Sequence, residues 1–298
     1  MKRKRLIVVI VLTLFAPHKL TPANCAWTAV PANINFGTYS VFGGSNLDAP
    51  SSYTVNVLTG IAATVKLSTG SSLSYSQRLA PRPTTPAANL NYNLYTAGAR
   101  TIIWGDGSTP TAFPTYNGAA GSNSFSATIY GRVPPSQDVR AGTYTDTINA
   151  TLSCTAVNDT RSFTVTTTVS TDCTATTSQM DFGLYDPVVV NNTAYLFGTG
   201  TVNVYCTQGT PVTVSLDAGL HFLTYRRMLS GVSNFLQYQV LREATYTTIW
   251  NTSNLDSGTS TSKNTPINGG FISYGRVLPG QNVPNGVYYD TLLATVNY

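Results

Sequence analysis

Apolar and polar residues alternate along most of this chain with a period of two, in runs too short for helices. Tyr53–Leu58, Ala63–Leu67, Leu90–Tyr95, Ser124–Val133 and Tyr144–Leu152 are such runs, and Gly, Pro, Asn and Ser separate them. Alternation over five to ten residues puts one set of side chains on each face of a pleated strand and predicts half-buried β-structure. Arg161–Val169 predicts a further strand, with Phe163, Val165 and Val169 on one face. β-Branched and aromatic residues are common and helix formers such as Glu, Lys and Met are scarce, so the chain reads as all-β. Short strands at this spacing predict Ig-like β-sandwiches.

The N-terminus breaks the alternation. Met1-Lys2-Arg3-Lys4-Arg5 is a positive cluster, followed by the apolar run 6–16, then Pro17 and small residues near Ala23. This order predicts a secretory signal peptide over 1–23. The apolar run is well short of the roughly 20 residues that span a bilayer. Removing it changes the charge. Of 17 Lys+Arg, Lys2, Arg3, Lys4, Arg5 and Lys19 leave, so 12 basic residues face 12 acidic ones. A chain so nearly neutral has no excess of cations to hold nucleic acid.

Internal repetition sets the domain count. Tyr130–Cys154 aligns without a gap with Tyr274–Tyr298, and 13 of the 25 positions are identical. They include Tyr-Gly-Arg-Val, a Gln, and Gly-x-Tyr-x-Asp-Thr leading into a strand. Earlier landmarks recur in the same order. Phe36-Gly37-Thr38-Tyr39 matches Phe182-Gly183-Leu184-Tyr185, and Val55-Asn56-Val57 matches Val202-Asn203-Val204. Leu90–Leu94 matches Leu236–Val240, and Ile103-Trp104 matches Ile249-Trp250. Two homologous sandwich domains are expected, over 24–172 and 173–298.

The copies differ at their ends. Arg161–Val169 follows Cys154 in the first copy, whereas the second reaches only Tyr298, the counterpart of Cys154. The second sandwich is therefore expected to lack its last strand, leaving an apolar groove and unpaired backbone groups that recruit another strand. A rearrangement in which 172–179 fills the gap is the alternative. Cys173 aligns with Cys25, however, which assigns that stretch to the first strand of its own domain. The run Val287–Val296 is expected to be a strand at the groove.

Phe-Gly-x-Tyr after an N-terminal Cys, a Leu-x-Tyr-x-Leu strand, Trp, Tyr-Gly-Arg-Val-x-Pro-x-Gln and Gly-x-Tyr-x-Asp-Thr together resemble the spore coat protein U domain family, over both copies. That family includes subunits of archaic (Csu-type) chaperone–usher pili, used in attachment and biofilm formation. The resemblance implies a periplasmic chaperone that lends a strand, an outer-membrane usher, an adjacent pilin that donates its strand to the C-terminal domain, and export to the cell surface. Cys25 lies close to the expected mature terminus, which leaves no room for a donor strand. The chain is thus expected to accept a strand without giving one, as a two-domain tip adhesin would. The alternative is a structural, spore-coat-like or capping subunit.

In a secreted chain, four cysteines read as disulfides with three possible connectivities. Cys25 and Cys173 are equivalent, whereas Cys206 matches Leu58 or Thr59 and Cys154 matches Tyr298. Cys25–Cys154 and Cys173–Cys206 is the preferred pairing. Only His221 remains after the leader, so neither a zinc site nor a Ser/His/Asp triad is expected, and no cofactor. Asp106 and Asp138 have no spacing that marks a glycosidase pair. Asp146/Asp290, Arg132/Arg276 and Trp104/Trp250 occur in both copies and read as architectural. The expected contact surface, for a host or abiotic surface, is the far end of the first domain, where loops 58–63, 104–123 and 155–160 carry Leu58, Ile61, Phe113, Tyr116 and Val157. Exposed apolar residues grouped there would mark a binding patch.

Overall fold

The computed structural model describes residues 24–120, 123–155 and 157–298, so the expected leader over 1–23 lies outside the described residues. The first copy supplies β1 (Cys25–Ala29), β2 (Ile34–Tyr39), β3 (Leu47–Val57), β4 (Ala62–Leu67), β5 (Arg78–Arg82), β6 (Ala88–Tyr95), β7 (Ile103–Trp104), β8 (Thr111–Ala112), β9 (Thr115–Asn117), β10 (Ser124–Val133), β11 (Gly142–Cys154) and β12 (Val157–Val169). One sheet runs β1-β3-β10-β6-β7-β8 with β5 beside β6, and the facing sheet runs β2-β12-β11-β4-β9. The alternation seen in the sequence decides which side chains meet between them. Tyr53, Val55 and Val57 of β3, Val65 and Leu67 of β4, and Ile148, Ala150 and Leu152 of β11 are all buried.

The second copy repeats the plan with fewer strands: β13 (Cys173–Thr177), β14 (Leu196–Cys206), β15 (Pro211–Leu216), β16 (Arg226–Ser230), β17 (Asn234–Leu241), β18 (Asp256–Thr259), β19 (Phe271–Val277) and β20 (Ala294–Asn297). One sheet is β13-β14-β19-β17-β16 and the other is β18-β15-β20. The only helical element among the described residues is a 3₁₀ turn at Ile267–Gly269. The fold is thus two tandem pilin-type β-sandwiches, the second without a counterpart of β12 among the described residues.

A buried tryptophan anchors each core in the same way. The Trp104 indole N–H donates to the Val65 carbonyl at 2.9 Å, and that of Trp250 to the Val214 carbonyl at 3.0 Å. Next to each lies a buried arginine. Arg78 donates to the carbonyls of Ser68 and Trp104, and Arg226 to those of Asp217 and Trp250. Burial lowers both guanidinium pKa values, and the carbonyl acceptors stabilise the charge that remains. Asp146 accepts from the Tyr92 hydroxyl at 2.6 Å, and Asp290 from the Tyr238 hydroxyl at 2.7 Å. Burial first, and then the neighbouring carboxylate, push both tyrosine hydroxyls above their ordinary range. These repeated residues tie strands together.

The disulfides join Cys25 to Cys154 and Cys173 to Cys206. The register around them corrects the alignment of the copies by two residues. Cys25 lies opposite Val57 on β3 and Cys173 opposite Cys206 on β14, so the counterpart of Cys206 is Val57 rather than Leu58 or Thr59. The local Val-Asn-Val match is therefore a coincidence of composition. An even shift leaves every side chain on the same face, so alternation alone could not reveal it. Residues 172–179 do not fill the gap in the second copy, because Cys173–Thr177 pairs with β14.

The copies meet at a short junction. The Ser40 hydroxyl donates to Asp172 at 2.7 Å, and the Asp172 N–H to the Thr207 hydroxyl at 3.0 Å. Asp138 accepts from the Ser262 hydroxyl and the Lys263 N–H, while the Lys263 ammonium reaches the Val41 carbonyl at 2.9 Å.

Candidate functional site

What β12 does in the first copy defines the site in the second. β12 lies antiparallel to β11 along 13 residue pairs, Gly142–Val169 through Cys154–Val157, and parallel to β2 on its other side. Its Phe163, Val165, Thr167 and Val169 point inward and are buried. Beneath and beside them Ile34, Phe36, Tyr39, Tyr144, Ile148, Ala150 and Leu152 are buried as well.

In the second copy β20 pairs with β15 in the matching register, Ala294 opposite Leu216 as Ala150 is opposite Leu67. No described strand lies on the other side of β20. The expected strand Val287–Val296 is only partly formed. Ala294–Asn297 is a strand, whereas residues 286–293 make one isolated bridge, Leu229 to Tyr289. The counterpart of β2, residues 180–185, is not a strand either. Both segments would flank β12, and without it neither has a ladder to join.

Loss of that cover shows in burial. Met180, Phe182, Tyr185, Tyr288, Leu292, Ala294 and Val296 pack against the second core but are only half-buried. Together they leave an apolar strip of the second core half-covered along its edge. Its lips are apolar too. Leu184 is 88% exposed, Val287 82%, Tyr289 64% and Leu293 65%, where the first copy has Thr38, Thr143, Thr145 and Asn149. Sequence reading missed these lip residues. The signal was present, because alternation fails in Val287-Tyr288-Tyr289 and Leu292-Leu293, which put apolar side chains on both faces.

The far end of the first copy holds the other candidate residues. Leu58–Ile61 forms a tight turn, with the Ile61 N–H donating to the Leu58 carbonyl at 3.1 Å and Gly60 at φ 78°. The Gly60 N–H donates to the Gly118 carbonyl and the Gly118 N–H to the Ile61 carbonyl, both at 2.9 Å, and Ala63 lies opposite Tyr116. Leu58, Ile61 and Tyr116 thus come to one rim. Leu58 is exposed, whereas Ile61 and Tyr116 are half-buried against the core. The Tyr116 hydroxyl is bound to that of Tyr53 at 2.7 Å, which directs its ring inward. Val157 opens β12 beside Cys154 and is half-buried. Phe113 lies between β8 and β9 under the Lys66 ammonium, 4.7 Å from its ring centre, along the flank of β4.

The remaining polar candidates serve local structure. Asp106 accepts from Ser108 in its own loop and Asp138 bonds across the junction, so the two carboxylates work in different places. His221 lies partly buried beside Asp290, with Nδ1 3.5 Å from the carboxylate.

Comparison with known proteins agrees with this architecture. A family model described as the Spore Coat Protein U domain matches residues 12–151 and again 159–295. A curated relative, Protein U of Myxococcus xanthus, is 34% identical over 134 residues, covering 40% of this chain and 71% of its own length. Among solved structures, the CsuC–CsuE chaperone–tip adhesion subunit pre-assembly complex from archaic chaperone–usher Csu pili of Acinetobacter baumannii superposes with a TM-score of 0.50. Its identity is 15%, covering 92% of this chain and all of the matched one. The shared fold, the doubled motif and the two family matches lead to one conclusion: the chain belongs to the spore coat protein U domain family and carries two copies of that domain.

Proposed function

We propose that this protein is the tip adhesin of a chaperone–usher fibre, exported after loss of residues 1–23, with 24–172 as the binding domain and 173–298 as an incomplete pilin domain. The observation that carries this reading is the groove between residues 180–185 and 286–297. The reading is supported by the first copy, where β12 covers the corresponding edge with its inward residues Phe163, Val165, Thr167 and Val169. A periplasmic chaperone would fill the groove first and an adjacent pilin would replace it at the usher. The donated strand would run antiparallel to 286–297 and parallel to 180–185. Burying three apolar side chains at about 1.5–3 kcal/mol each supplies the driving force.

The far end of 24–172 then faces outward. Its turn presents Leu58, backed by Ile61 and Tyr116, with Val157 and Phe113 on neighbouring segments, for contact with a host or abiotic surface. Such a role is adhesive, not catalytic.

The test has two arms. Fusing residues Arg161–Val169 behind Tyr298 through a flexible linker should turn an aggregating or degraded periplasmic product into a soluble monomer. Equal yield of soluble monomer without the fusion would sink the open-groove reading. In bacteria that assemble the fibre, Leu58→Ser with Ile61→Ser, and separately Phe113→Ser, should leave fibres in place while attachment to hydrophobic surfaces falls. Normal attachment would remove the far end as the contact surface and favour a capping or coat role.

A further inference from the structure

The outward face of β14, β19 and β17 carries a feature that does not depend on the groove. In the first copy the matching face holds an ion-pair network. Asp48 accepts from Arg132 at 2.8 and 2.9 Å, and Arg100 lies 3.3 Å from the same carboxylate and over the Tyr130 ring. Strand register gives the counterparts: Arg132 opposite Asp48 corresponds to Arg276 opposite Phe197. Arg100 and Tyr246 occupy the same left-handed turn position after β6 and β17, both with φ 54°. The second copy has thus exchanged the carboxylate for Phe197 and one arginine for Tyr246, while keeping the other arginine and the tyrosine, Tyr274.

The outcome is an aromatic cluster in which Tyr195 and Phe197 are exposed and Tyr246 and Tyr274 are half-buried. Phe197 lies 4.7 Å from Tyr246 and 6.2 Å from Tyr195, and Tyr246 lies 6.0 Å from Tyr274. Phe197 is 51% and Tyr195 42% exposed. Arg276 lies over the Tyr195 ring at 4.9 Å and spends its Nε–H on the amide oxygen of Gln239 at 2.8 Å. Among the described residues no carboxylate lies within ion-pair distance of Arg276. A guanidinium has five donors in a planar fork, so two N–H-bearing nitrogens remain for a carboxylate.

We propose that this face binds a carboxylated sugar, of the hexuronate class. A pyranose ring presents a face of C–H bonds that packs on an aromatic ring, and the exposed Phe197 ring offers that surface, with the Tyr246 ring tilted 53° beside it. The sugar's carboxylate takes the place that Asp48 fills in the first copy, paired with Arg276, and the Gln239 amide is within reach of a ring hydroxyl. Charge complementarity selects this occupant over a neutral saccharide, because the platform includes an arginine whose carboxylate partner has been replaced by a ring.

The test uses the full chain completed by Arg161–Val169 fused behind Tyr298, and two probes of equal length, an oligoglucuronate and a neutral gluco-oligosaccharide, with binding read by calorimetry and tyrosine fluorescence. The acidic probe should bind at least about tenfold more tightly than the neutral one. The double change Phe197→Asp with Tyr246→Arg rebuilds the network of the first copy and should abolish that binding with the melting temperature retained. Arg276→Gln should remove the preference for the acidic probe, and it carries the test alone if the double variant does not fold. Absence of binding by the soluble fused chain without substitutions, equal affinity for both probes, or undiminished binding by a folded double variant would each overturn the proposal.

Discussion

The two copies share a plan and differ by one strand, and the molecule serves as its own control for what that strand contributes. Among the described residues 27 apolar side chains form the buried core of the first copy, against 14 in the second, so completion governs burial well beyond the strand itself. The chain on either side of the vacancy changes conformation as well. Residues 142–149 are strand in β11, and their counterparts 286–293 are not; β2 is a strand, and residues 180–185 are not. Tyr144 and Tyr288 still make the same local hydrogen bond, to the carbonyls of Arg140 and Pro284. Local turn chemistry is therefore encoded in each copy separately, whereas extended structure at the sheet edge forms where a neighbouring strand pairs with it. A β-strand is a property of a pair.

This comparison can be broken on purpose. The largest effect is expected from Phe163→Ala, which removes the bulkiest inward side chain of β12. It should destabilise the first copy by about 3–5 kcal/mol, and hydrogen exchange along 142–149 should rise toward that of 286–293. Unchanged protection there would show that β11 holds without the cover of β12.

A smaller difference separates the disulfides. Cys25–Cys154 closes 129 residues and Cys173–Cys206 closes 33. Loop-closure entropy then makes the first bridge worth about 1 kcal/mol more than the second. Replacing each pair by serine and measuring urea midpoints checks this, and a larger loss for Cys173/Cys206 would contradict it.

The smallest effect concerns acid. The hydrogen bond from Arg132 is the largest influence on Asp48 and holds its carboxyl below the ordinary value, opposed by partial burial. A folded-state pKa below the unfolded one gives stability that is present above the unfolded value, near 4, and is lost as pH falls through the folded one. Asp48→Asn should flatten that acid limb for the first copy only, because Phe197 occupies the matching position in the second. An unchanged acid limb in the variant would assign the dependence to other carboxylates.

Much of this was legible in the sequence, because alternation reports burial of one face. Six strands of the first copy, the doubling and the absent last strand all follow from residue order. Three things did not follow. The counterpart of Cys206 is Val57, one or two residues before the expected Leu58 or Thr59, and the two-residue slip of the Val-Asn-Val match keeps the inside–outside pattern. The strand expected over Val287–Val296 shrank to Ala294–Asn297, because a sequence shows the propensity of a segment without showing whether a neighbour is there to pair with it. Loop position and apolar character mark the far-end residues as exposed, yet Tyr116 turns inward to Tyr53 and Phe113 lies along β4 under Lys66. The aromatic platform escaped notice because Tyr195, Phe197, Tyr246 and Tyr274 come from three separate stretches and meet only across strands.

The direction of β12 has a mechanical consequence. It begins beside the Cys25–Cys154 bridge at one end of the first sandwich, and its last residue, Val169, leads within a few residues into the junction with the second. Tension drawn between the far end and the second copy therefore pulls β12 along its own axis. Its ladders to β11 on one side and β2 on the other are then sheared together, so many hydrogen bonds share the load at once. Peeling the same strand from its end would break them one at a time. The strand that closes the first sandwich is thus also its tether, placed where a stretched molecule resists extension best.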